Sequence, residues 1–176
     1  MIEYVLLVDE QDHEIGIMEK MLAHERALLH RAISVFVFND KNEFLLQKRA
    51  AGKYHSPLLW TNTCCSHPRP GETLIDAANR RLKEEMGLSC LLTHQFSFIY
   101  KAVLENGLTE HEFDHVFFGW SNNAPVPDPA EAADWKYLSL EAVASEIAIN
   151  PEAYTVWFKL LLDQIKTTGN SIQKPL

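Results

Sequence analysis

The sequence predicts an α/β domain in which a mixed β-sheet is flanked by helices. Three observations lead there. Short apolar segments rich in β-branched and aromatic residues, such as 32–39 (AISVFVFN), alternate with polar turns in the manner of strands. Residues 73–86 instead carry Leu74, Ala77, Ala78, Leu82 and Met86 at helical spacing. A chain of 176 residues with 47% hydrophobic side chains can build one sizeable core, so a single domain over 1–176 is expected.

In order along the chain, residues 3–8 read as a strand, 9–14 as a polar turn and 15–19 as a returning strand. Residues 20–31 fit neither period cleanly and could hold a helical turn. The strand 32–39 turns through Asp40-Lys-Asn into 43–48, a hairpin. The helix 73–86 opens at Thr73 with Asp76 three residues on, a capping-box variant, and stops at Gly87. Residues 90–100 and 109–120 read as strands around Glu105-Asn-Gly, and 135–138 as a short strand after the loop of Pro125, Pro127 and Pro129. Ser139 caps a helix to Ile149; Asn150-Pro151 supplies a cap and first-turn proline for a second one from Glu152 to about Lys166, with a frayed tail after Thr167. Few connections are long enough for parallel crossovers, so the sheet should be mainly antiparallel or mixed.

Sixteen Lys and Arg against 24 Asp and Glu give a net charge of −8, which repels phosphate backbones and anionic lipid. Neither nucleic acid nor a membrane is an expected partner. The start of the chain lacks the charge and apolar length of a secretory signal, and three cysteines, two of them adjacent, suit a reducing compartment. A cytoplasmic location is the expectation.

One placement is poor helix design. Arg80 and Arg81 lie one turn before Glu84 and Glu85, the weaker order for such pairs, and both glutamates face the negative end of the helix dipole. Glu72, Arg80, Leu82, Glu84, Glu85, Gly87 and Leu88 fall at the spacing E-x7-R-x-U-x-E-E-x-G-U, which resembles the Nudix box. The resemblance implies a Nudix-like mixed sheet flanked by helices. Ser66 stands where the box begins with glycine, and Arg81 replaces the glutamate after the box arginine. In Nudix hydrolases that glutamate helps bind the metals that activate water, whereas a guanidinium makes bidentate bonds to phosphate oxygens. Arg81 thus favours holding a diphosphate over cutting it.

Other candidates stand outside the box. Cys65 and His67 are two apart and face one side of an extended segment. Glu110 and Glu112 share a strand face roughly 7 Å apart, close enough to meet at one divalent ion, with His111 turned away. His111 and His115 form a weaker rival, about 13 Å apart along a strand. His24 and His30, six residues apart, match no helical face and suggest a loop or broken turn. Read singly, each is an ordinary structural residue.

Together, the box, Trp60-Thr-Asn-Thr-Cys-Cys-Ser-His-Pro68, the spacing H-x5-H and Glu110-His-Glu112 resemble the type I isopentenyl-diphosphate delta-isomerases over about 5–166. The resemblance implies a divalent ion (Mn²⁺, Zn²⁺ or Mg²⁺) on His24, His30, His67, Glu110 and Glu112. It implies a Mg²⁺ joining the diphosphate to Glu85 and the Cys65 carbonyl, with Lys20, Arg49, Lys53 and Arg81 binding the same group. Cys65 and Glu112 would be the acid-base pair, Tyr100 would bond that carboxyl, and Trp157 would face the cationic intermediate. The resemblance favours Glu112 with Tyr100 delivering the proton and Cys65 taking one, and the reverse direction is also compatible with the sequence. Segments 1–31 and 139–168 would be additions closing over a small prenyl diphosphate. The competing readings are a Nudix pyrophosphohydrolase and a noncatalytic diphosphate-binding module; oligomeric state is open.

Overall fold

The chain, described over residues 2–167 by a computed structural model, opens with an antiparallel hairpin of β1 (Tyr4–Val8) and β2 (Glu14–Glu19). The ambiguous segment 20–31 divides into α1 (Lys20–Glu25), a turn, and the start of β3 (His30–Phe38). The Glu19 side chain caps α1 by accepting from the Met21 and Leu22 amides. Next come β4 (Phe44–Arg49), the short β5 (Trp60–Thr61) and β6 (Cys64–Ser66), and α2 (Leu74–Met86). The remainder is β7 (Leu92–Val103), β8 (Thr109–Trp120), β9 (Ala132–Leu138), α3 (Leu140–Ile149) and α4 (Val156–Thr167).

Strand β3 organises the sheet. Along one edge it pairs in parallel with β8 from His30↔Glu112 to Phe38↔Trp120. Its other edge is shared in succession by β1 at His30, β6 at 33–35 and β4 at Phe38, all antiparallel. The sheet is therefore mixed, as expected, and β3–β8 is a parallel pair reached through a long crossover that contains α2.

Strand alternation divides the core in two. Ile33, Val35 and Val37 face α2 with Cys64, Leu82, Met86 and Phe117. Phe36 and Phe38 face α3 and α4 with Phe118, Val143, Trp157, Phe158 and Leu161, and Cys65 packs on this second cluster. Adjacent cysteines thus serve opposite faces.

Several expected boundaries change. Asn150-Pro151 does not open the last helix. Pro151–Ala153 form a single 3-10 turn, Tyr154 returns to extended backbone, and α4 begins at Val156. Thr155 is held there by its amide on the Trp60 carbonyl and its hydroxyl on Thr61, tertiary contacts that override the local cap signal. Glu105–Gly107 is a 3-10 turn whose Asn106 takes a left-handed φ of 61°, which lets β7 run on to Val103. The strand expected at 135–138 starts at Ala132 because its whole length pairs with β4. The frayed tail expected after Thr167 lies outside the described residues.

Helix α2 ends as the sequence predicts. The Thr73 hydroxyl accepts from the Asp76 amide, and Gly87 closes the helix at φ 64°, ψ 15°. A Cβ at Gly87 would lie 2.6 Å from the Val126 carbonyl oxygen, where the proline-rich loop donates the Val126 and Asp128 amides to the Met86 and Glu85 carbonyls. Gly87→Ala is therefore expected to lower the unfolding free energy by about 2 kcal/mol or more, combining left-handed strain with a backbone clash. The check is urea unfolding: the midpoint should fall at unchanged slope, and a midpoint equal to the parent's would contradict the packing described.

Candidate active site

The parallel pairing brings His30 beside Glu112, and β8's period of two turns Glu110, Glu112 and Asp114 inward while His111, Phe113 and His115 face the other side. Helix α1 carries His24 over the same spot, and the chain after β6 delivers His67. One ligand atom from each of His24, His30, His67, Glu110 and Glu112 lies within 4.8 Å of all the others. His24 Nε2 is 3.0 Å from Glu110 Oε2, and His67 Nε2 is 2.9 Å from Glu112 Oε1.

The imidazoles are oriented from behind. His24 Nδ1 donates to the Lys20 carbonyl at 2.7 Å and His30 Nδ1 to the Leu28 carbonyl at 2.8 Å. A carbonyl only accepts, so each Nδ1 carries a hydrogen and each Nε2 is the nitrogen turned toward the cluster. His24 Nε2 and Glu110 Oε2 are both buried and face each other, with no further partner for either. Three imidazoles and two carboxylates that leave such atoms facing one point are a donor set for a divalent ion.

The ionisation of this cluster follows its burial. Desolvation drives His30 down to about 4 and pulls His67 well below the usual histidine range. Burial lowers His24 as well, but the Glu110 carboxylate more than offsets it and leaves His24 raised. Burial also opposes the charge on Glu110, yet hydrogen bonds from His24 and His55 and the charge of His24 hold it well below the carboxylate range. Glu112 is pushed well above that range by burial and then by the Glu110 and Asp114 charges. Asp114, donated to by the Ser34 hydroxyl at 2.7 Å, is raised by burial to about 7.

Beside the cluster opens a cavity of about 60 Å³. Cys65, Tyr100, Glu112 and Trp157 line it, and so do all four cations singled out from the sequence, Lys20, Arg49, Lys53 and Arg81. Tyr100, opposite Glu112 in the β7–β8 register, donates to Glu112 Oε2 at 2.6 Å. Burial pushes the Cys65 thiol and the Tyr100 phenol above their ordinary ranges. The cations already have partners. Arg81 meets Glu84 and Glu85 at 2.8 Å and Glu131 at 3.2 Å, Lys53 pairs with Glu131, and Lys20 with Glu3 at 2.8 Å. Arg49 donates to the His55 and Ser56 carbonyls and lies 5.2 Å from the Trp157 ring centre. Glu85 does not line the cavity; it stands behind, bound by Arg81 and by Gln47 Nε2 at 2.7 Å.

The rival His111 and His115 are not brought together. His111 Nδ1 bonds the Ala27 carbonyl, and His115 sits between Asp12 and Ser97. Sequence reasoning missed His55, Tyr54 and Asp114. Asp114 continues the every-second-residue carboxylate pattern and was recoverable from it; His55 and Tyr54 lie in a loop where no periodicity marks them.

Burial favours the protonated form of Glu112, and the Glu110 charge that of His24, whereas a divalent ion binds the carboxylate and the neutral imidazole. Ion uptake by the metal-stripped protein should therefore release protons, and affinity should rise with pH. Calorimetric titration in two buffers of different ionisation heat measures the release, and none at all would contradict this assignment of charge.

A model of the NUDIX domain matches residues 28–158. An isopentenyl-diphosphate Delta-isomerase 1 of Aromatoleum aromaticum is 53% identical over 163 residues, covering 93% of this chain and 92% of that one. An isopentenyl-diphosphate Delta-isomerase of Pectobacterium atrosepticum is 49% identical, covering 92% of this chain and 90% of that one. Among solved structures, DR0079 from Deinococcus radiodurans superposes with a TM-score of 0.76 at 21% identity, covering 92% of this chain and 98% of its own. A MutT protein from Methanosarcina mazei does so at 0.66 and 16% identity, covering 81% and 96%. Those two share the fold. With its box carried on α2, its mixed sheet and its relatives matched nearly end to end, the chain belongs to the NUDIX superfamily and, within it, to the isopentenyl-diphosphate Delta-isomerase family.

Proposed function

We propose that this protein interconverts isopentenyl and dimethylallyl diphosphate, the step that supplies both isoprenoid precursors. The observation that carries the reading is one cavity lined by a thiol, a tyrosine-bound carboxyl, a tryptophan and four cations, with five metal donors at its end. Moving an unactivated double bond requires a proton added at the terminal carbon and another removed from C2, through a tertiary carbocation-like state. Glu112, with the Tyr100 hydroxyl on Oε2, delivers the proton and Cys65 takes one. Forward turnover begins once Cys65 has given its own proton to solvent, against the burial that raises the thiol, and ends with Cys65 protonated and Glu112 ionised, the starting state for the back reaction. Trp157, which lines the cavity, would offer its π-system to the cation.

His24, His30, His67, Glu110 and Glu112 would hold Mn²⁺, with Zn²⁺ or Mg²⁺ as alternatives. Once bound, the ion orders the donors and tunes the acidity of Glu112. Glu85 and the Cys65 carbonyl, with the diphosphate, would hold Mg²⁺. Lys20, Arg49, Lys53 and Arg81 bind the diphosphate. Segments 1–31 and 139–168 close the single domain over it. Arg81 speaks against the pyrophosphohydrolase reading, because a guanidinium stands where the box of the hydrolases has a further metal-binding carboxylate. The acidic composition and the free thiols of Cys64, Cys65 and Cys90 favour a cytoplasmic protein without nucleic-acid or membrane partners. No helix among the described residues is long and apolar enough to cross a membrane.

The test is incubation with isopentenyl diphosphate, Mg²⁺ and Mn²⁺ in deuterated water, followed by proton and phosphorus NMR. Dimethylallyl signals carrying solvent deuterium on an intact diphosphate are expected; free phosphate would favour the hydrolase, and an unchanged spectrum the binding module. Cys65→Ala and Glu112→Gln should each lower turnover by about 10²-fold or more with the fold intact. His111→Ala, facing away from the cavity, should stay near the parent rate. Full turnover by Cys65→Ala would sink the mechanism.

A further inference from the structure

His55 has no role in the reading above, and its surroundings give it one. It lies in the loop between β4 and β5 and is 4% exposed. Its Nε2 stands 3.2 Å from Glu110 Oε1, while His24 Nε2 faces the other oxygen, Oε2, at 3.0 Å. The same ring meets Trp157 edge to face, with centroids 5.4 Å apart at 87°. His55 Nδ1 is buried with no partner. A histidine serving only as packing would leave neither a ring nitrogen unpaired nor a carboxylate on its other one; an apolar ring fills such a space at lower cost. The loop is also held at some expense, for Ser56 and Leu58 take left-handed φ values of 47° and 60°, and Arg49 clamps the His55 and Ser56 carbonyls.

We infer that His55 is a positioning residue: it donates from Nε2 to Glu110 Oε1, leaves Oε2 as the oxygen directed at the divalent ion, and braces the plane of Trp157. The inference rests on the reading of the five-donor cluster as an ion site. A carboxylate free to rotate offers either oxygen or both, so a donor fixed on one of them sets both affinity and orientation. Through one ring, the metal end of the cavity and its aromatic wall share a single reference point.

The experiment compares the parent with His55→Phe, which keeps the ring but not the donor, and His55→Gln, which keeps a donor. Metal-stripped proteins are titrated with Mn²⁺ alone and the free ion is read by its electron paramagnetic resonance signal. His55→Phe should bind about 10-fold or more weakly, and His55→Gln should return to within about 3-fold of the parent. At saturating metal, His55→Phe should lower kcat with KM for isopentenyl diphosphate nearly unchanged, since the diphosphate-facing cations are intact. If His55→Phe does not fold by circular dichroism, His55→Leu takes its place under the same expectation. Equal Mn²⁺ affinity in the parent and a folded donor-less variant would overturn the inference, as would a parent that binds no Mn²⁺. The predicted affinity pattern in a parent that does not isomerise would uphold it while removing the isomerase reading.

Discussion

The parallel pairing of β3 with β8 is the constraint on which the rest of the molecule depends. His30 opposite Glu112 and Ile33 opposite His115 set one register over nine consecutive pairs. Because side chains alternate, a slip of one residue would turn Glu110, Glu112 and Asp114 toward the side now held by His111, Phe113 and His115. Apolar packing holds the register. Phe36 and Phe118 meet under α4, and Val35 and Phe117 face α2, so slipping would cost both clusters at once. The same alternation sends Cys64 into the core and Cys65 to the cavity.

On that frame the molecule gathers charges whose burial does not favour folding. Glu112 and Asp114 are held toward their neutral forms, and two imidazoles are kept from protonation by burial. Backbone carbonyls of Lys20 and Leu28 orient the rings, so even the turn after α1 contributes to the cluster. A strained loop, orphaned nitrogens and like charges side by side are tolerated because two apolar clusters elsewhere supply the stability.

Much of this was legible in the sequence wherever a local rule decides the outcome. The caps of α2, the outward turn of His111 and the convergence of Glu110 with Glu112 follow from period and turn chemistry alone. The rest depends on long-range partners. The start of α4 is chosen by Trp60 and Thr61, nearly a hundred positions upstream by the 94-residue separation of the Thr61–Thr155 bond, so the Asn-Pro signal loses. His55 is given its place by Arg49 and Glu110 rather than by its neighbours in sequence, and no reading of residues 53–57 alone reveals it. That β3's second edge is divided among three strands is likewise a property of the assembled sheet.

The cations of the cavity are nowhere bare: Arg81 and Lys53 share Glu131, and Lys20 has Glu3. Occupying the site is thus an exchange of anions, in which a ligand must displace internal carboxylates that are already in place. A singly charged visitor trades one contact for another and gains little, whereas a chain of two phosphates can replace several carboxylates at once. The protein's own acidic residues act as a threshold on ligand charge, and an overall acidic chain can keep a strongly basic recess without filling it with stray anions.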